Sequence, residues 1–239
     1  QGKTDFCTGF ATAYMTEYQE GVDIEPSWNF AVSKMLSGDP DEWGQDLRMA
    51  CKAHEKHGAL EKKDAPFSLA TKDQQFLRHI ENWPQELFSK ALPHRKASYF
   101  RVEGPYDAFD NIRAALWGFK DERRAVGMGV LWNWPLEQTM MTEMLQRGFG
   151  HMITAVGWKH INQEPYLTIQ NSYGTAAGDT GRHSFGRQLV NEAVKRYGAF
   201  MFADLPPEVT KEQAVAQSRA YRYPGITGKL CMYAQSIFS

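Results

Sequence analysis

The spacing of apolar residues changes character near the middle of the chain, and this change constrains the fold more than any other feature. In the first half, apolar residues recur at helical spacing, as in the segment Gln45–His57, which ends at a glycine. In the second half, segments such as Ala125–Trp132 and Tyr166–Gln170 are apolar or alternate, which is typical of strands. The sequence therefore predicts a helical part followed by a β-rich part.

Capping residues predict where several helices begin. We expect Asp5 to cap a helix over Phe6–Tyr18, Ser27 to cap a second helix that stops near Gly38, and Thr71 to begin a fourth. Further predicted elements are strands at 98–102, 151–158 and 199–203, helices at 108–119 and 187–197, a hairpin loop at 159–165 and an inserted helix within 133–147. A tail of part helix and part coil is expected after the prolines at 206–207.

Length and charge limit the function classes. The chain has 239 residues, enough for one large domain or two small lobes around a shared cleft. Its formal net charge of -1 gives no electrostatic basis for binding nucleic acid or an anionic membrane. No apolar run approaches the length of a membrane span. We therefore predict no nucleic-acid partner and no membrane partner.

The first candidate for chemistry is Cys7, at the start of the first predicted helix. A helix N-terminus and a nearby imidazolium stabilise a thiolate and lower the pKa of the thiol. Taken alone, Cys7 is better interpreted as a small buried apolar residue, the usual place of a single free cysteine. Gln1 lies upstream and has an amide side chain, which is a suitable donor to the oxyanion of amide hydrolysis.

The candidate base is His151, one of seven histidines. Only His151 opens an apolar strand, whereas His54 lies on a helix predicted to be at the surface and His183 in a glycine-rich loop. Asn171, followed by Ser-Tyr-Gly, is suited to accept the other ring N–H of the histidine and so to orient it.

The order Gln1, Cys7, His151 and Asn171, with Gln-Gly before the cysteine and Asn-Ser-x-Gly after the strand, resembles the papain-like (C1 family) cysteine peptidases. The spacing of Gln1-Gly2 to Cys7 is that of the family, so the resemblance favours Cys7 as a nucleophile. The separation of Cys7 from His151 agrees with the roughly 130–150 residues typical of that family. The resemblance implies an α+β, two-lobe fold with the active-site cleft between a helical N-terminal lobe and a β-rich C-terminal lobe. The implied boundaries are a helical lobe at 1–95, a β-rich lobe at 96–205 and a C-terminal extension at 206–239 that packs on the core.

The resemblance also implies the roles of these residues and the substrate, a peptide or protein. Cys7 is the expected nucleophile, His151 the base, Asn171 its orienting partner and Gln1 an oxyanion donor. The family has Trp where this chain has Thr8 and Tyr173. Two alternatives therefore stay open: an acyltransferase or transglutaminase-like enzyme, and a catalytically weak protein that binds peptide or serves a structural role. The chain has no phosphate-binding glycine loop, CxxC or HExxH motif, so we predict no cofactor and no metal.

Cysteine usage bears on the compartment. The chain has three cysteines, Thr4 stands where secreted relatives have a disulfide cysteine, and no Asn-x-Ser/Thr site is found. These features favour a cytoplasmic or otherwise reducing, microbial setting, with a secreted or virion-associated location as the open alternative. The oligomeric state is not indicated by the sequence.

Overall fold

The computed structural model describes residues 1–117 and 124–203. The helices are α1 (Cys7–Glu20), α2 (Pro26–Ser37), α3 (Leu47–His57), α4 (Gln74–Arg78), α5 (Leu87–Ala91), α6 (Ala108–Trp117) and α7 (Arg187–Tyr197). The strands are β1 (Ser98–Arg101), β2 (Val126–Trp132), β3 (Met140–Met141), β4 (Phe149–Ile161), β5 (Glu164–Gln170), β6 (Arg182–Phe185) and β7 (Ala199–Ala203). The predicted α+β class, helical first and β-rich second, is confirmed. The predicted C-terminal extension lies outside the described residues.

The described strands form one seven-stranded sheet in the order β1-β7-β2-β4-β5-β6-β3. All neighbours are antiparallel except β3 and β6, which are parallel. The register pairs Thr154 of β4 with Gln170 of β5. Asn171, the residue after β5, therefore lies beside the beginning of β4, where His151 is found. Sheet topology thus brings together two polar residues that are 20 positions apart in sequence.

Separate apolar cores stabilise the two lobes. The core of the sheet lobe lies between the strands and helices α6 and α7, whereas the helical lobe has its own core around Phe6, Trp28 and Phe30. A third cluster joins the lobes, with Met15 of α1 and Phe202 of β7 among its members. Burial of apolar side chains from both sides fixes α1 against the sheet, so the start of α1 has a defined position relative to β4.

The helix starts differ from the predicted caps. Asp5 does not cap α1; it accepts a hydrogen bond from the backbone N–H of Gly44 at 2.6 Å and pairs with Arg78 at 2.5 Å. The carboxylates of Glu25 and Asp73 cap α2 and α4, where the sequence predicted Ser27 and Thr71 as caps. At α2 and α4 the carboxylate is the stronger acceptor for a free N–H group of the first turn.

Two further predictions are wrong in detail. The segment 133–147 is not an inserted helix, because Thr139 and Met141 accept hydrogen bonds from the backbone of β6 and its edge. The predicted loop at 159–165 is mostly strand, with a two-residue turn at Asn162 and Gln163, both at positive φ, which favours a tight hairpin. The predicted bounds of α7 and β7 are confirmed. Residues 118–119 of the helix predicted at 108–119 lie outside the described part.

His54 is not at the surface. It is fully buried in α3, where its ring stacks on Phe202 with the ring centres 4.9 Å apart.

Within residues 1–117 and 124–203, no helix is long and apolar enough to cross a membrane.

Candidate active site

Cys7 is the first residue of α1 and lies in the cleft between the lobes, with 8% of its surface exposed. Tight packing behind it fixes α1: Phe6 stacks on Phe30 at 4.3 Å, and a Cβ atom at Gly9 would lie 2.3 Å from the carbonyl oxygen of Pro26. Only glycine at this position allows the close approach of α1 and α2.

His151 lies on the opposite wall, on β4, and is 1% exposed. Its Nε2 atom is 2.9 Å from Oδ1 of Asn171, which is also buried. The ring of Tyr173 stacks on the imidazole, with the ring centres 4.9 Å apart and the planes inclined by 15°. Trp132 meets the imidazole edge-on, with the ring centres 5.4 Å apart. Tyr173 thus covers the imidazole, as a partly buried aromatic ring with a polar tip can.

Gln1 is held at the edge of the cleft by several hydrogen bonds. Its Nε2 atom donates to the carbonyl oxygen of Thr4 at 2.7 Å, and its Oε1 atom accepts from the hydroxyl of Ser172. Its backbone nitrogen donates to the carbonyl oxygen of Ser172 at 2.8 Å. Because an amide nitrogen carries two hydrogens, one N–H of Gln1 is used by Thr4 and a second is left for another acceptor.

One cleft of about 1080 Å³ joins these groups. Gln1, Cys7 and His151 all line it, and Asn171 lies behind His151. The lining also includes acidic, aromatic and aliphatic side chains, among them Asp39, Glu42, Asp46, Trp43, Trp132, Trp134, Leu136 and Phe149. The structure therefore brings the four predicted site residues to one place, while their catalytic roles remain predictions.

Burial shifts the pKa values of the two reactive groups away from the expected direction. Burial raises the pKa of the Cys7 thiol to about 11, although hydrogen bonds from the backbone of Met152 and Thr8 act to lower it. Burial lowers the pKa of His151 to about 4, against the opposing effect of its hydrogen bond with Asn171. At neutral pH these shifts favour a neutral thiol and a neutral imidazole, whereas the sequence predicted a thiolate beside an imidazolium.

One site residue was misplaced by the sequence interpretation. His183 is not in a loop: it lies on β6, is 2% exposed, and its Nε2 atom is 3.2 Å from Nδ2 of Asn171. Trp132 packs against His151, Tyr173 and His183. The only sequence signal for His183 was its place between Gly181 and Gly186, which was too weak to predict a strand.

Among the described residues, no group of three or more His, Cys, Asp or Glu side chains could hold a metal ion. Cys51 is buried in α3, and Cys231 lies outside the described residues.

Comparison with known proteins gives similarity in structure rather than in sequence. No family model matches the chain, and no curated protein matches it. Xylellain, a cysteine protease from Xylella fastidiosa, superposes with a TM-score of 0.67 at 15% identity, over 86% of this chain and 82% of that one. The bromelain protease from Ananas comosus, solved in complex with the E64 inhibitor, superposes with a TM-score of 0.57 at 14% identity, over 85% of this chain and 91% of that one. Digestive procathepsin L 3 of Tenebrio molitor superposes with a TM-score of 0.63 at 15% identity, over 84% of this chain and 64% of that one. The chain therefore has the fold of the papain-like cysteine proteases.

Proposed function

We propose that this protein is a cysteine-type peptidase that hydrolyses peptide bonds through a thioester. The observation that carries the proposal is the arrangement of Cys7 at the start of α1 opposite the hydrogen-bonded pair His151 and Asn171, in one open cleft. A nucleophile, a base and a group that orients the base are the parts that thiol-dependent amide hydrolysis requires.

The first chemical step follows from the hydrogen bond between His151 and Asn171. Because Oδ1 of Asn171 accepts from Nε2–H, the lone pair of the neutral imidazole is on Nδ1. Nδ1 takes the proton of the Cys7 thiol as the sulfur attacks the peptide carbonyl carbon. Proton transfer during attack agrees with the buried, neutral pair, since neither group needs to be charged before substrate binds.

The carbonyl oxygen becomes an oxyanion and accepts hydrogen bonds from the backbone N–H of Cys7 and from the second N–H of Gln1. The C–N bond then breaks, the proton on Nδ1 of His151 passes to the leaving amine, and a thioester on Cys7 remains. Water attacks the thioester and gives a proton to Nδ1. The C–S bond then breaks, the acid is released, and the sulfur of Cys7 takes the proton back from Nδ1 to restore the thiol. Every step uses side chains or backbone groups of this chain and water.

An epoxysuccinyl inhibitor tests the nucleophile directly. The protein is incubated with E-64, the inhibitor bound by the bromelain protease, and digested for mass spectrometry, with a peptide-library digest in parallel. We expect one adduct on Cys7, none on Cys51, and cleaved peptides. Absence of an adduct on Cys7 together with absence of cleavage would refute the peptidase proposal.

One observation favours a second candidate, a catalytically weak cleft that binds peptide. Burial disfavours the charged forms of both Cys7 and His151. In that case peptides from the library are retained by the protein without being cut, and Cys7→Ala retains them equally.

An acyltransferase or transglutaminase-like activity is separated from hydrolysis by adding a primary amine, which only a transferase joins to the product in preference to water.

The proposed substrate is a peptide or protein strand in the cleft, and the proposed setting is a reducing one. A reducing compartment keeps the Cys7 thiol available, whereas oxidation would remove it from the reaction.

A further inference from the structure

A second buried histidine extends the polar contacts behind the base. Both ring nitrogens of His183 have a partner: Nδ1 is 2.7 Å from the carbonyl oxygen of Gln138, and Nε2 is 3.2 Å from Nδ2 of Asn171. The ring is 2% exposed and meets Trp132 edge-on at 5.1 Å. His183 is not part of the cleft lining, and its hydrogen-bonded link to the candidate base runs through Asn171.

The directions of these hydrogen bonds are fixed by two backbone groups. A carbonyl oxygen only accepts, so Nδ1 of His183 must donate to Gln138, and the neutral ring then has its lone pair on Nε2. At the other end, the backbone N–H of Ser172 only donates, and it points at Oδ1 of Asn171 at 2.8 Å. The nitrogen of the Asn171 amide therefore faces His183, and its oxygen faces His151.

The loop around His183 holds the ring in place. Gly178 has a φ of +55°, and a Cβ atom there would lie 2.8 Å from Nδ1 and Cε1 of His183. Its backbone N–H donates to the carbonyl oxygen of Leu136 at 2.7 Å. The segment that supplies the Gln138 carbonyl is thus tied to the glycine that leaves room for the ring, and His183 has little freedom to rotate.

We propose that His183 is a positioning residue that fixes the amide of Asn171 and, through it, the tautomer of His151. This inference rests on the proposed function, in which Nδ1 of His151 receives the thiol proton. The bond from Nδ2 to His183 holds the oxygen of Asn171 toward His151, so the proton of His151 stays on Nε2 and Nδ1 keeps its lone pair. A flipped amide would present N–H groups to both His151 and Ser172 and would favour the unproductive tautomer.

The test compares His183→Leu, which removes both ring nitrogens, with His183→Gln, whose side-chain oxygen can accept from Asn171. His160→Leu, an exposed histidine on the same sheet, is the matched control. Nitrogen NMR of the histidine rings reports which nitrogen of His151 carries the proton, with the signal assigned by its loss in His151→Gln. We expect Nε2–H in the wild type and in the control, a mixture of tautomers in His183→Leu, and a return toward Nε2–H in His183→Gln.

Kinetics give the second readout. His183→Leu should lower kcat by roughly 10–100-fold with KM little changed, because the lost geometry matters for proton transfer rather than for peptide binding. His183→Gln should recover most of the loss. An Nδ1–H tautomer in the wild type would overturn the inference without any variant, as would an unchanged tautomer and kcat in a folded His183→Leu.

The two proposals fail separately. If the wild type cleaves no peptide, the peptidase proposal fails, while the tautomers of the wild type and of His183→Leu still decide the positioning role. If the wild type cleaves peptide and His183→Leu matches it in both readouts, only the positioning role fails.

Discussion

The two walls of the cleft hold their reactive groups in different ways. On the helical wall, Cys7 is placed by packing of α1 and by a buried ion pair between Asp5 and Arg78. On the sheet wall, His151 is held by a directional hydrogen bond to Asn171, by the ring of Tyr173 stacked on one face and by Trp132 edge-on. A sulfur atom needs only a location, whereas an imidazole with two distinct nitrogens needs an orientation and a tautomer. Four predictions test this contrast, from the largest expected effect to the smallest.

Removing the nucleophile should have the largest effect. Cys7→Ala should lower peptide turnover by roughly 10⁴-fold or more with little change in unfolding, because only a small side chain is lost. Cys51→Ala, at a second buried cysteine in a neighbouring helix, is the control and should keep full turnover. Peptide hydrolysis and thermal unfolding measure the two outcomes. Equal losses of turnover in Cys7→Ala and Cys51→Ala would mean that Cys7 supports the fold rather than acting as a nucleophile.

Breaking the ion pair should weaken the helical wall. Arg78→Leu leaves the buried Asp5 carboxylate without its partner, so the free energy of unfolding should fall by about 3–5 kcal/mol. The control is Arg187→Leu, whose pairs with Asp107 and Asp110 are partly exposed and should cost about 1 kcal/mol or less. Urea unfolding of both variants measures the difference. A similar decrease in the free energy of unfolding in both variants would show that burial of the pair between Asp5 and Arg78 does not add to stability.

The oxyanion donor should affect rate rather than binding. Gln1→Ala should reduce kcat by roughly 10²–10³-fold with KM nearly unchanged, because the hydrogen bond strengthens as the oxyanion forms. Gln1→Glu should be at least as harmful, since a carboxylate repels the developing negative charge. Gln75→Ala, outside the cleft lining, serves as the control. A rise in KM without a fall in kcat would assign Gln1 to substrate binding instead.

The pH dependence of alkylation decides between the sequence expectation and the structure. With the pKa of Cys7 raised to about 11 and that of His151 lowered to about 4, both groups are uncharged between these values. Reaction of Cys7 with iodoacetamide should therefore increase with pH by roughly tenfold per unit below the thiol pKa. Cys51, fully buried with its pKa also raised, should react more slowly throughout. A rate that is already high and flat from mildly acidic pH would instead demonstrate the thiolate–imidazolium pair.

Much of the fold was predictable because it follows from local patterns. The apolar spacing of α3 and the β-branched and aromatic residues of β2 and β5 are local signals, and glycines mark the ends of α1, α2 and α3. In two places where a prediction failed, a long-range contact had replaced a local one. Asp5 pairs with Arg78 instead of capping its own helix, and the methionines of β3 join the edge of the sheet instead of forming a helix.

The sequence by itself determined the class of fold and the four candidate residues Gln1, Cys7, His151 and Asn171, because their spacing and neighbours form a specific pattern. Only the tertiary structure decided which other groups support them and what burial does to their charges. Strand register brings His183 behind Asn171, and packing removes water from the thiol and the imidazole. Both effects depend on residues distant in sequence, so no local pattern could predict them.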